Sequence, residues 1–151
     1  MRSMIRAGRR AQLVTEPADG RPSTRPDRTI DRLLALAAAL EGATGLVLMT
    51  FPVTFVGLLI GAELSAAGAA LGRITGFALF ALGVACWPGA RGTSDAAAQV
   101  RAMMTYGLLA AVYLFLLGLG GDLVGVLLWP AVAVHAAFTF FLTRAWVRRS
   151  S

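Results

Sequence analysis

Four apolar blocks of about 17–23 residues each dominate the chain from Leu33 onward, and their length constrains the fold more than any other feature. They are Leu33–Phe51, Ser65–Trp87, Ala102–Gly118 and Leu123–Thr143. The first holds one charge, Glu41, and the second holds one, Arg73; the last two hold none. A helix rises 1.5 Å per residue, so about 20 residues cross the roughly 30 Å hydrocarbon layer of a bilayer. No block alternates polar and apolar residues with period two, which argues against membrane strands. The pattern therefore predicts an all-α fold, a four-helix transmembrane bundle. Between the first two blocks, Val53–Ile60 is too short to cross and follows Pro52, a residue suited to ending one helix or opening another. It is expected as a short interfacial helix between helices 1 and 2, with Phe51 and Phe55 at headgroup level. Pro88–Gln99 reads as a polar loop and Gly118–Asp122 as a turn. Trp129-Pro130 leaves a second register open for the last block, with Leu123–Leu128 interfacial and the spanning helix starting at Pro130.

Composition agrees with immersion in lipid. The hydrophobic share is 57% of 151 residues, and the 17 glycines raise it to roughly 68%, against about 45–50% in soluble domains. Charged residues are 15%, against about 25%. A soluble globule, a disulfide scaffold and a zinc ribbon are all disfavoured. Cys86 is the single cysteine, lies in an apolar run beside Trp87, and is expected as a small buried hydrophobe. Residues 1–30 differ from the rest: seven arginines, three prolines and no sustained apolar run. They are expected as a disordered, Arg-rich cytoplasmic tail, followed by a four-helix transmembrane domain over 31–147 and a short cytoplasmic tail over 148–151.

All fourteen basic residues are arginines, a bias that fits a GC-rich bacterial genome. Eight lie at or before Arg32; Arg91 and Arg101 flank the second connection; Arg144, Arg148 and Arg149 end the chain. The opposite connections carry only Glu63 and Asp122. Short loops with such a bias place both termini in the cytoplasm, here across the bacterial cytoplasmic (inner) membrane. Trp87 and Trp146 then fall at one interface and Trp129 at the other, as an aromatic belt requires.

Gly68, Gly72 and Gly76 recur at spacing four, and small residues including Gly45 share the face of Glu41. Such stripes let helices approach closely in lipid. The plain reading is packing within the bundle, and the sharper one is a seam between two copies. Glu41 lies ten residues before Phe51 and Arg73 eight after Ser65, so the two charges are expected at similar depth and as partners, since each alone would cost about 2.5–3.5 kcal/mol to insert. On that expectation, removing Arg73 alone strands a buried carboxylate. His135 and Tyr113 can reach the same half, giving an intramembrane polar cluster of Glu41, Arg73, Tyr113 and His135. Tyr106 shares a helix face with Tyr113, seven residues away. The cluster is either a functional site, the usual meaning of ionisable groups in membrane helices, or a network that fixes helix register.

No phosphate-binding loop, dinucleotide fingerprint, metalloprotease motif or nucleophile elbow is present. No catalytic residues, metal site or cofactor are expected. The partners expected are the lipid bilayer and a second copy or another membrane protein, not nucleic acid, and no small-molecule substrate is specified. From Leu33 to Trp146 the chain resembles a group of small four-helix bacterial membrane proteins without an assigned activity. The stretches that carry this are Leu40-Glu-Gly-Ala-Thr-Gly45, Arg73-Ile-Thr-Gly-Phe-Ala-Leu79, Gly83-Val-Ala-Cys-Trp-Pro88 and Leu128-Trp-Pro-Ala-Val-Ala-Val-His135. Its layout is similar to that of DoxX-like proteins, without a residue-by-residue match to their signature. That resemblance brings no known mechanism with it, and the chain is expected as a non-enzymatic accessory or oligomeric membrane component. Glu41, with Gly45 and Met49 downstream, is loosely similar to the first helix of small multidrug resistance transporters, where a glutamate exchanges protons for cationic substrates. A pairing with Arg73 would repel such cations, and the arginine bias and the third block also depart from that family. A third expectation is a quinone-linked redox protein using His135 and Tyr113.

Overall fold

The computed structural model describes residues 28–89 and 96–150. Within them the chain is all-helical: α1 (Arg28–Thr50), α2 (Pro52–Ile60), α3 (Ala66–Ala85), α4 (Ala96–Gly120) and α5 (Leu128–Ser150). All but α2 are long and apolar enough to cross a membrane. Most of the expected disordered tail, together with Arg91, lies outside the described residues.

Local chemistry sets the helix ends. α1 starts earlier than its apolar block, because Asp31 sits in the first turn, where the helix dipole favours a carboxylate, and Ile30 and Leu34 are buried. Residues 28–30, expected as disordered tail, are therefore helical. α1 stops at Thr50 because Pro52 excludes the helical conformation from the residue before it; Phe51 leaves at φ −128°. Pro52 then opens α2, where its missing N–H is not needed. α2 ends on Gly61, whose φ of +72° suits a residue without a Cβ. Ser65 caps α3 by accepting the Gly68 N–H at 3.1 Å.

Two boundaries differ from the hydropathy reading. α4 begins at Ala96 rather than Ala102. Its first turns are anchored by Gln99, which donates to the Ala85 and Trp87 carbonyls at 2.8 and 3.3 Å, and by Val100, which is buried. α5 begins at Leu128 rather than Leu123, close to the second register considered, and runs on to Ser150. Leu123–Leu127 instead joins α2. Gly125 N–H donates to the Leu59 carbonyl at 3.1 Å and Leu127 N–H to the Leu58 carbonyl at 2.9 Å. These bonds satisfy helix-end carbonyls that would otherwise be orphaned.

The long helices pack as two pairs, α1 with α3 and α4 with α5, joined along α1 and α5. The α1–α3 seam is backbone against backbone. A Cβ on Gly45 would lie 2.6 Å from Phe80 N, one on Gly76 2.8 Å from the Gly45 carbonyl, and one on Gly83 2.6 Å from the Ala38 carbonyl. Gly72 faces Pro52 at 3.1 Å, whereas Gly68 meets only side chains of Leu64 and Ser65 in its own cap. Near the chain termini a core of Ile30, Leu34, Ala37, Ala38, Cys86, Val100, Met103, Leu142 and Ala145 closes the structure. α3 and α4 share no extended seam. Leu71, Ile74, Phe77, Leu109, Leu116 and Leu119 are among many large apolar side chains left exposed, far more than a water-soluble monomer presents.

Candidate functional site

The gap between the helix pairs is a cavity of about 530 Å³. Its walls come from all five helices and are almost wholly apolar. Phe55 and Leu59 of α2 and Leu127 cover the end away from the termini; Thr75 and Leu79 of α3 face Leu109 and Tyr113 of α4 across the unsealed side. Glu41 and His135 lie on its inner wall.

Glu41 is 5% exposed and is the sole buried charged side chain among the described residues. It sits mid-helix on α1, on the flank of the glycine seam that turns toward α5. His135 of α5 meets it, with Nε2 3.4 Å from Glu41 Oε1. The other ring nitrogen, Nδ1, lies 2.8 Å from the Ala131 carbonyl one turn earlier. A carbonyl only accepts, so Nδ1 carries the ring proton. Nε2 and the carboxylate are then two acceptors face to face unless a further proton lies between them. Glu41 and His135 thus form a facing dyad in which Nε2 is left without a hydrogen-bond partner. Tyr106 of α4 completes the cluster: its ring packs edge-on against His135 at 5.8 Å, and it lines the cavity with Glu41.

The structure brings together Glu41 and His135 but separates Arg73 from them. The glycine seam sets α3 against α1 so that Gly83 lies beside Ala38 and Gly42, Gly76 beside Gly45 and Met49, and Gly72 beside Pro52. Arg73 is therefore level with the end of α1, about nine residues or roughly 13 Å along the axis from Glu41. It is exposed and makes no ion pair among the described residues. The expectation of equal depth assumed that Phe51 and Ser65 mark the same level; α3 in fact extends past the end of α1. Tyr113 lines the cavity but is 65% exposed at its rim. Tyr106, one face-repeat deeper, takes the place by Glu41.

Tyr106 and Thr139 were not singled out as site residues by sequence reasoning. Thr139 follows His135 by one turn, and its hydroxyl lies 2.7 Å from where a Gly107 Cβ would stand. The i, i+4 spacing from His135 is the signal that would have found it. Gly83 was also missed, although it continues the stripe seven residues beyond Gly76. Outside the cavity, Cys86 is buried at the C-terminal end of α3, and burial pushes its thiol pKa up. No group of three or more histidine, cysteine, aspartate or glutamate side chains among the described residues could hold a metal ion. Compared with protein-family models, curated proteins and solved structures, the chain matches none.

Proposed function

We propose that the chain is a four-helix protein of the bacterial cytoplasmic membrane, with both termini in the cytoplasm, that binds lipophilic organic cations within the bilayer and exchanges each for a proton at Glu41. The single observation that carries this reading is a carboxylate on the inner wall of an apolar cavity, facing a histidine and making no ion pair with an arginine among the described residues. Lipid supplies the missing cover for the exposed apolar surfaces. The arginines at the ends of α1, α4 and α5 then lie on the cytoplasmic side, as the positive-inside rule requires. α2 and Leu123–Leu127 form the periplasmic cover, with Trp129 in the outer belt. Arg73, at the level of Pro52, reaches the outer headgroups along its own stem.

The chemistry follows from charge balance. With one proton on either the carboxylate or Nε2, the net charge of the dyad is zero. A cation with an apolar body enters from the hydrocarbon through the gap between α3 and α4 and brings its charge to the carboxylate. The proton is released to water as the cation binds, and His135 remains neutral. Net charge at the site is zero before and after, which avoids the large penalty for an unpaired charge in a low dielectric. An accessory or oligomeric role sets no requirement for an ionisable pair at a cavity wall, and so ranks behind this reading.

The test is binding of radiolabelled tetraphenylphosphonium to the full chain in lipid nanodiscs. Saturable binding is expected for wild type and for Arg73→Ala, and its loss for Glu41→Gln. Equal binding by Glu41→Gln and wild type would refute the assignment of Glu41.

A further inference from the structure

Behind the dyad lies a second, smaller and more enclosed chamber. Its walls are Leu40, Glu41, Val134 and His135, which it shares with the large cavity, and Ala37, Met103, Gly107 and Phe138, which it does not. Glu41 and His135 therefore form the partition between the two spaces. The chamber offers about 10 Å³ to the centre of a water molecule, which is room for one.

Two buried polar atoms border this region without a hydrogen-bond partner: His135 Nε2 and Thr139 Oγ1. Nε2 lies 3.4 Å from Glu41 Oε1 yet has no hydrogen-bond partner, since with Nδ1 protonated both atoms are acceptors. The Thr139 hydroxyl stands over Gly107, in the space a Cβ there would fill, and Gly107 lines the chamber. Leaving a buried hydroxyl or ring nitrogen unsatisfied costs about 1–3 kcal/mol. An internal water needs two to four polar partners. Glu41 and His135 line a space of the right size, and the Thr139 hydroxyl stands against Gly107 on its wall.

We propose that this chamber is a binding site for a single structural water held by Glu41, His135 Nε2 and Thr139 Oγ1. The water gives Nε2 a hydrogen-bond partner. Resting on the cation-exchange reading, it keeps neutral His135 hydrogen-bonded when a cation in the large cavity draws the Glu41 carboxylate away. Gly107 is a glycine because a methyl group there would collide with the Thr139 hydroxyl and enter the chamber.

His135 is the single histidine in the chain, so 15N-histidine labelling reports this one ring. The test is NMR of the full chain, perdeuterated and 15N-histidine-labelled, in lipid nanodiscs, reading magnetisation transfer from a slowly exchanging water to the His135 ring. Wild type and Thr139→Ser, which keeps the hydroxyl, are expected to show the transfer. Thr139→Val, of the same shape without a hydroxyl, and Gly107→Ala are expected to lose it and to shift the Nε2 resonance while Nδ1 stays protonated. Absence of the transfer in wild type, or its persistence in both Thr139→Val and Gly107→Ala, overturns the proposal. Tetraphenylphosphonium binding by the same samples tests the cation reading separately: water transfer without cation binding removes that reading and leaves the water site standing.

Discussion

At the scale of single residues, the partner of Glu41 decides the chemistry. An arginine beside it would form a closed ion pair with nothing left to exchange; a histidine can give and take a proton. The geometry predicts that Glu41→Gln and His135→Gln are energetically coupled, by about 0.5–3 kcal/mol in a double-mutant cycle. Glu41→Gln and Arg73→Ala should add to within about 0.5 kcal/mol, as separated sites do. Unfolding in detergent, followed by circular dichroism, checks both. Cys86 provides a second residue-scale prediction. Its buried thiol, with its pKa raised by desolvation, holds little thiolate at neutral pH. Maleimide should label it slowly in intact membranes at pH 7 and rapidly after denaturation, read by mass shift. Glu41 and His135 were legible in the sequence because ionisable groups stand out in apolar blocks. The cluster read from the sequence named them together but gave Glu41 to Arg73 as its partner, because depth was counted from helix ends that are not level.

At the scale of elements, the register between α1 and α3 is set by where backbone can touch backbone. Gly45, Gly76 and Gly83 occupy those points, and no side chain larger than hydrogen fits. Gly45→Ala and Gly83→Ala should each destabilise by about 1–3 kcal/mol, the usual cost of overpacking. Gly42→Ala, whose Cβ would meet nothing within 4 Å, should be neutral or slightly stabilising. Thermal unfolding in detergent distinguishes them. The four long helices were legible from length and hydropathy alone. The glycine stripe was legible as a stripe, but its members were not equivalent: Gly68 is spent on the Ser65 cap, and Gly83 does the work Gly68 was expected to do. α2 was found by its length. Its docking on Gly125 and Leu127 was not, because those backbone bonds carry no side-chain signature. Gly125 in particular packs against the Leu58 carbonyl, with no space for a Cβ. Gly125→Val should therefore loosen α2, raising proteolysis in the Gly61–Ser65 connection while the long helices persist.

For the whole molecule, the arrangement is two tight helix pairs closed by the core at the end near the termini, with no extended seam between α3 and α4. Gln99 ties those two helices at the core end. Block length and composition were enough to read four helices long and apolar enough to cross a membrane. The gap between α3 and α4 was not legible, because every wall residue there is the kind that also faces lipid or packs in a core. The most direct test of exchange at Glu41 is proton release in a weakly buffered, dye-monitored solution. Tetraphenylphosphonium is added to the purified chain in nanodiscs. About one proton per bound cation should appear with wild type and with Arg73→Ala, and none with Glu41→Gln. Cation binding without proton release, or release that survives Glu41→Gln, would contradict the account.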